Sequence, residues 1–116
     1  MLRDKTRLLR IAKLARGLTL DVGFNDNSNP FLEQAIGFEV SDSNREKATN
    51  YREIVKGNCE NISEYFPGKY SDTVIAGEII EHLENPSQFL REVKKILKDD
   101  GIILISTPNP YNLSTL

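Results

Sequence analysis

Two short apolar stretches of this sequence carry residues that suit the binding of a polar ligand. The stretch 18–22 contains Asp21 and runs into Gly23, and the stretch 36–40 carries Glu39. A glycine lets the backbone approach a ligand closely, and a carboxylate accepts hydrogen bonds from hydroxyl groups. A strand, a tight turn and a second strand with an acid form the arrangement with which α/β folds bind an adenosine-containing cofactor. The sequence therefore predicts such a cofactor between these two stretches.

The turn after the first stretch contains two asparagines, Asn25 and Asn27. Asparagine tolerates a positive φ better than any residue except glycine, so we expect the left-handed conformation at these positions. Asn29 and Pro30 then suit the cap and the first position of a short helix over 30–35. Its free N–H groups would point a mildly positive helix end at the turn.

Apolar runs and turn signals alternate along the rest of the chain. The predicted strands are 18–22, 37–40, 53–56, 73–76 and 102–106, and the predicted helical segments are 41–49, 61–66 and 86–98. Asn85 is the predicted cap of the last helix, and Gly101 lies just beyond its end. Continuous rather than alternating apolarity predicts a parallel sheet covered on both faces. We therefore expect a doubly wound α/β fold with right-handed crossovers.

The composition is typical of one globular domain, and we assign residues 1–116 to it. The 116 residues are 39% hydrophobic and 28% charged. No apolar run reaches the roughly 20 residues of a membrane span, and the start lacks the apolar core of a signal peptide, so we expect a cytoplasmic protein. Cys59 and His82 are the only cysteine and histidine, which excludes an internal disulfide and a Cys/His zinc site.

The first 17 residues carry six basic side chains and one acidic side chain, although the whole chain has a net charge of −2. A basic segment of this kind can bind nucleic acid or anionic lipid. Leu8, Ile11, Ala15 and Leu18 recur at helical spacing, however, and the cations lie largely between them. We therefore expect a basic amphipathic helix over 1–17 with a solvated outer face, and no nucleic-acid partner.

Four motifs, in order along the chain, resemble those of a known family. They are LDVG at 20–23, GFEVS at 37–41, YSDTVIAGEIIEHL at 70–83 and LKDDGIILISTPN at 97–109. Together they resemble the class I S-adenosylmethionine-dependent methyltransferases, particularly the group that acts on small molecules and glycans. The resemblance covers residues 18–110 and implies a Rossmann-like, mostly parallel five-stranded sheet of order 3-2-1-4-5, truncated after strand 5. Residues 18–110 would form its cofactor-binding core.

The resemblance implies S-adenosylmethionine as the cofactor and assigns residues to it. Glu39 would accept hydrogen bonds from both ribose hydroxyls, and the loop at Gly23 would let the backbone approach the methionine part. Cys59 and Glu60 would border the adenine. The implied cofactor-binding residues are Asp21, Gly23, Asn25, Glu39, Cys59, Glu60, Gly77 and Glu78. The last two would lie beneath the cofactor, at the end of the fourth strand.

His82 is the candidate general base, because it follows the fourth strand and a histidine can take up a proton near neutral pH. The segment Glu81-His82-Leu83 recurs in this family across differing chemistries, which indicates helix packing or support of the cofactor instead. Glu78, Glu81 and His82 also resemble the metal-binding segment of small-RNA 2′-O-methyltransferases and would share a helix face. That family needs a further histidine, which this chain lacks, so we expect no metal site.

The sequence departs from the family in two places. The family's first motif has three alternating glycines, and Asn25 and Asn27 take the second and third places, where their side chains occupy space that the cofactor needs. The family's sheet has seven strands, whereas this chain ends at Leu116, ten residues after Ser106. The strand 102–106 would be an open apolar edge, so we expect self-association, a partner chain or the folded-back C-terminal tail to cover it.

The predicted function is methyl transfer from S-adenosylmethionine to an unidentified acceptor, such as a small molecule, a sugar or a lipid-linked compound. The segment 107–111 resembles members that act on sugars or lipid-linked molecules. One alternative is a non-catalytic member of the fold, or a partner subunit, that binds the cofactor weakly or not at all. Another is a nicotinamide dinucleotide-binding domain, but the chain lacks the G-x-G-x-x-G run of such domains.

Overall fold

The strands of the chain form one sheet, and helices pack on both of its faces. The computed structural model describes residues 2–106 and 113–115, so the segment 107–111 lies outside the described residues. The elements are α1 (Leu2–Leu14), β1 (Thr19–Val22), β2 (Ile36–Phe38), α2 (Asp42–Lys47), β3 (Glu53–Val55), a 3₁₀ helix (Cys59–Glu64), β4 (Ser71–Gly77), a second 3₁₀ helix (Ile80–His82), α3 (Pro86–Ile96), β5 (Leu97–Ser106) and β6 (Leu113–Thr115). Within the described residues, no helix is long and apolar enough to cross a membrane.

The strands lie in the order β3-β2-β1-β4-β5-β6. Strands β1 to β5 are parallel, which confirms the predicted order 3-2-1-4-5. β6 runs antiparallel to β5 and pairs Leu113 with Ser106 and Thr115 with Leu104. The C-terminal tail of the chain therefore covers this part of β5. Of the three covers expected for the edge 102–106, the structure therefore shows the folded-back tail, over Leu104–Ser106.

Alternate residues of the central strands pack against different helices. Val22 of β1 lies in one apolar cluster with Phe89 of α3. Ile75 of β4 lies in a second cluster with Ile11 of α1. Because successive strand residues point to opposite faces, the side chain of Asp21 is on the α1 face of β1. The fold therefore places a carboxylate under α1, next to the apolar contacts that hold this helix on the sheet.

The segment between β1 and β2 is not a helix, contrary to the prediction for 30–35. Asn29 is buried with only 1% of its surface exposed, and its side-chain amide donates to the carbonyl oxygen of Leu8 in α1. Its Oδ1 accepts a hydrogen bond from the N–H of Phe31, and Gln34 has a φ of +59°. The predicted cap residue therefore anchors an irregular loop to α1, and the left-handed backbone at Gln34 interrupts any helix.

The junction between α3 and β5 also differs from the prediction. Asn85 caps α3 through its side chain as predicted, but the helix ends at Ile96. Leu97 already has an extended backbone and pairs with Ser71 of β4. Gly101 therefore lies inside β5, and the prediction that it follows the end of the helix is wrong.

α1 is shorter than the predicted helix over 1–17. It ends at Leu14, and Leu8 and Ile11 are its buried apolar residues among those whose burial is described. Gly17 has a φ of +62°, and the N–H of Leu18 donates to Asp72 over 2.8 Å. The chain has thus left the helix and turned into β1 before residue 18.

Candidate functional site

Two neighbouring cavities lie at the carboxyl ends of β1, β2 and β4. The first, here called the Glu39 cavity, has a volume of about 300 Å³ and is lined by Gly23, Asn25, Glu39, Val40, Cys59 and His82 among others. The second, here called the Asp21 cavity, has a volume of about 240 Å³ and is lined by Arg7, Asp21, Asn25, Gly77, Glu78 and His82 among others. Asn25 and His82 line both cavities. Open parallel sheets bind their ligands in such a crevice outside the carboxyl ends of the strands.

Glu39 is an acidic residue in the wall of the Glu39 cavity, and its carboxylate is held by two hydrogen bonds. Its residue is 4% exposed, and its Oε1 accepts the N–H of Asn25 over 2.8 Å. Its Oε2 accepts the N–H of Ser41 over 3.0 Å. A carboxylate has about four lone-pair positions, so each oxygen can accept one further hydrogen bond. The arrangement is a rigid acceptor that can hold two neighbouring donors at once.

The turn after β1 brings the backbone close to the end of β4. Gly23 has a φ of +62°, and a Cβ at this position would lie 2.7 Å from Cγ2 of Ile79. Asn25 has a φ of +56°, which agrees with the prediction for this asparagine. Asn27 is not among the described residues with positive φ, so the same prediction is wrong for Asn27; its N–H closes a turn on the carbonyl of Phe24.

Asp21 is the buried acid of the Asp21 cavity. It is 5% exposed, and its Oδ2 accepts a hydrogen bond from the hydroxyl of Tyr51. Burial raises the pKa of Asp21 to about 7, while the hydrogen bond from Tyr51 and the positive charge of Arg7 act in the opposite direction. Burial also raises the pKa of Tyr51, so that its hydroxyl stays a donor. The carboxyl group of Asp21 therefore changes charge near neutral pH.

Arg7 of α1 reaches the same cavity, although sequence reasoning placed it on the solvated basic face. Its side chain is only 19% exposed, and Nη1 donates to Oγ of Ser106 over 3.4 Å. Its Nε lies 3.7 Å from Oε1 of Glu78 and is buried without a hydrogen-bond partner among the described residues. The spacing i, i+4 to Ile11 places Arg7 on the buried side of the helix and is the signal that could have identified it.

The end of β4 contributes its predicted residues to the Asp21 cavity. Gly77 and Glu78 line it, and Glu78 has a φ of +57° while its N–H donates to the carbonyl of Ser106 over 2.9 Å. The His82 side chain is 73% exposed, with Nε2 3.6 Å from Oε1 of Glu81. In the described part of the chain, no group of three or more His, Cys, Asp or Glu side chains is arranged to hold a metal ion.

The two residues predicted beside the adenine have different surroundings. Cys59 lines the Glu39 cavity, and burial raises the pKa of its thiol to about 11. The thiol is therefore protonated at neutral pH and forms an uncharged part of the wall. Glu60 does not line either of the two cavities, because its carboxylate accepts the N–H groups of Glu84 and Asn85, each over 3.2 Å. Glu60 thus holds the loop before α3.

The family model for the methyltransferase domain matches residues 14–105, which is most of the chain. The chain belongs to the methyltransferase domain family. Membership implies S-adenosylmethionine as the cofactor and does not favour the alternative of a non-catalytic remnant.

Named relatives and a solved structure agree with this assignment. The chain is 37% identical over 95 residues to the mitochondrial ubiquinone biosynthesis O-methyltransferase of Dictyostelium discoideum, an alignment covering 82% of the chain and 29% of that protein. It is 38% identical over 99 residues to the ubiquinone biosynthesis O-methyltransferase of Rickettsia canadensis, covering 78% of the chain and 42% of the relative. The chain thus spans less than half the length of either relative.

The fold of this chain is similar to that of a solved SAM-dependent methyltransferase from Archaeoglobus fulgidus. The two superpose with a TM-score of 0.74 at 24% sequence identity, over 91% of this chain and 52% of the other. At this identity the likeness concerns the fold alone. It supports the Rossmann-like sheet on which both cavities are built.

Proposed function

We propose that this chain forms the cofactor-binding part of an S-adenosylmethionine-dependent methyltransferase, with one cofactor lying across both cavities. The observation that carries the proposal is the buried carboxylate of Glu39, fixed by two backbone N–H groups at the cavity wall. A ribose presents two adjacent hydroxyl donors, and Glu39 offers two acceptor atoms with free lone pairs. The donor and acceptor sets therefore match.

The remaining walls of the Glu39 cavity suit an adenine ring. Val40 is 60% exposed and Cys59 carries a protonated thiol, so both offer uncharged surface beside Glu39. Gly23 leaves no side chain at the point where the cavity meets the first turn. A flat, weakly polar ring with its ribose at Glu39 would be held by these residues.

The Asp21 cavity suits the amino-acid end of the same cofactor. Arg7 brings a guanidinium whose buried Nε lacks a hydrogen-bond partner among the described residues, and a carboxylate would supply one. Asp21 and Glu78 bring acidic groups to the wall, which would attract an ammonium group and a sulfonium. The cavity therefore carries both signs of charge that a methionine moiety requires.

The chemistry of methyl transfer places few demands on the remaining residues. The bound cofactor supplies an activated methyl group with a good leaving group. Transfer to a hydroxyl forms a C–O bond, breaks a C–S bond and releases the hydroxyl proton, so a base near the acceptor assists the reaction. We propose His82 for this task, because it lines both cavities and its side chain is open to solvent. A hydroxyl acceptor agrees with the names of the two O-methyltransferase relatives.

Calorimetric titration with S-adenosylhomocysteine tests the proposal. We expect saturable binding by the chain, with no binding of a nicotinamide dinucleotide. Glu39→Ala should weaken binding by about tenfold or more, the size of a hydrogen bond to a charged group. Glu53→Ala, which removes an exposed carboxylate from β3, is the control and should bind normally. Failure of the intact chain to bind, or equal affinities of Glu39→Ala and the control, would contradict the proposal.

A further inference from the structure

We propose that Tyr51 is a positioning residue of the Asp21 cavity, whose hydroxyl holds the Asp21 carboxylate in place to face the ammonium group of the methyl donor. The proposal rests on the proposed function in naming the ligand. Tyr51 is not among the residues that line the Asp21 cavity. It acts through Asp21, because its hydroxyl donates a hydrogen bond to Oδ2 of Asp21. The residue belongs to none of the four family-like motifs, and it lies 30 positions from its partner.

The sheet makes room for this contact at a single glycine. Gly37 of β2 is the register partner of Asp21 in β1. A Cβ at position 37 would lie 2.9 Å from Cδ2 of Tyr51 and 2.8 Å from Cε2 of Phe24. The two rings pack on each other with centroids 4.9 Å apart. Because Gly37 has no side chain, the ring of Tyr51 can lie close to β2, and its hydroxyl can reach Asp21 in the neighbouring strand β1.

The direction of the hydrogen bond follows from the other partner of the hydroxyl. The N–H of Asn29 donates to Oη of Tyr51 over 3.3 Å, so the hydroxyl proton is free for the Asp21 carboxylate. The side chain of Asn50 in turn donates to the carbonyl of Asn29. Tyr51 therefore joins the irregular loop between β1 and β2 to Asp21, and one hydroxyl contacts two residues that line the cavity.

Charged groups from several elements face or surround Asp21. The guanidinium of Arg7 from α1 and the hydroxyl of Tyr51 favour the ionised carboxylate, whereas burial and the charge of Glu39 oppose it. The other titratable residues that line the cavity are Asp26, Glu78, Glu81 and His82. Since an ammonium group is attracted only by the ionised form, cofactor affinity should rise as the pH increases through the pKa of Asp21, about 7. Loss of the Tyr51 hydroxyl should move that rise to higher pH.

The first experiment follows the ionisation of Asp21 itself, in the protein without ligand. The side-chain carboxyl carbon is observed by NMR during a pH titration of the wild type and of Tyr51→Phe, which keeps the ring. We expect the midpoint to rise by about one pH unit in the variant, the size of a hydrogen bond to a carboxylate. Tyr65→Phe is the control, because Tyr65 packs on Phe38 on the other side of β2 and should leave the midpoint unchanged. An unchanged midpoint in Tyr51→Phe would overturn the proposal.

The second experiment measures the affinity for S-adenosylhomocysteine between about pH 6 and about pH 8.5. Tyr51→Phe should bind about fivefold more weakly at pH 7 and regain affinity as Asp21 ionises at higher pH. A loss that is equal at every pH would indicate a merely structural role and would overturn the proposal. If the wild type does not bind the ligand at all, the proposed function fails, while the NMR midpoint still decides whether Tyr51 governs Asp21.

Discussion

The two cavities of the site are built in different ways. In the Glu39 cavity, the acid is fixed by backbone N–H groups only 14 and 2 positions away in the sequence. In the Asp21 cavity, Tyr51 comes from 30 positions away, and Arg7 bonds a serine 99 positions away. The first side is therefore determined by local sequence, and the second side by the packing of α1 and of the segment before β3. The motifs therefore contain Asp21 and Glu78 of the second cavity, but not Arg7 and Tyr51, which contact these two acids.

The two acids also differ in how their charge is balanced. Glu39 receives hydrogen bonds from two backbone donors, which cannot be titrated or removed by a side-chain change. Asp21 receives one hydrogen bond, from the phenol of Tyr51, and its burial disfavours the ionised form of the carboxyl group. The charge of the Asp21 side is thus sensitive to pH and to single substitutions.

The largest effect that we expect is on the pH dependence of stability in Asp21→Asn. The pKa of Asp21 is raised on folding from 3.8 to about 7, so its contribution to stability is present below about pH 4 and is lost as the pH rises through 7. The neutral variant lacks this dependence. It should be more stable than the wild type by about 4 kcal/mol at pH 8, with little difference near pH 4.

Urea unfolding of both proteins at the two pH values measures this difference. Asp26→Asn is the matched control, since Asp26 lines the same cavity but is exposed. It should show no such change with pH. If the wild type were as stable as Asp21→Asn at pH 8, burial of the ionised carboxylate would not destabilise the fold. The proposed difference between Asp21 and Glu39 would then be contradicted.

A smaller effect concerns the turn that both cavities share. Gly23→Ala forces a Cβ onto a positive φ and to within 2.7 Å of Ile79, whereas Gly68→Ala meets a φ of +49° with no atom within 4 Å. The control should cost about 1 kcal/mol for the backbone alone, and Gly23→Ala about 3 kcal/mol because crowding is added. Thermal or urea unfolding gives both values. Equal costs would show that close packing at Gly23 does not shape the site.

The same contrast explains how much could be predicted from the sequence. The parallel strands, their order and the place of Glu39 agree with the structure, because apolar runs and the motif resemblance concern neighbouring residues. The expected helix after Asn29 is absent, because that side chain binds α1, a contact invisible in the local pattern. Tyr51 was not predicted for the same reason, whereas the helical spacing of Arg7 from Ile11 indicated that Arg7 is buried but not which groups it contacts. Their roles depend on which elements meet in space.

The central proposal is that one ligand spans both cavities, and a comparison of two ligands tests it. S-adenosylhomocysteine has an amino-acid end, whereas 5′-methylthioadenosine keeps the adenosine and lacks that end. Arg7→Met should weaken the binding of S-adenosylhomocysteine by about tenfold or more and leave the binding of 5′-methylthioadenosine unchanged. Glu39→Ala should weaken the binding of both ligands. Lys13→Met, an exposed change on the same helix, is the control. Equal losses for both ligands in Arg7→Met would contradict the proposal, because the Asp21 cavity would then not hold the amino-acid end.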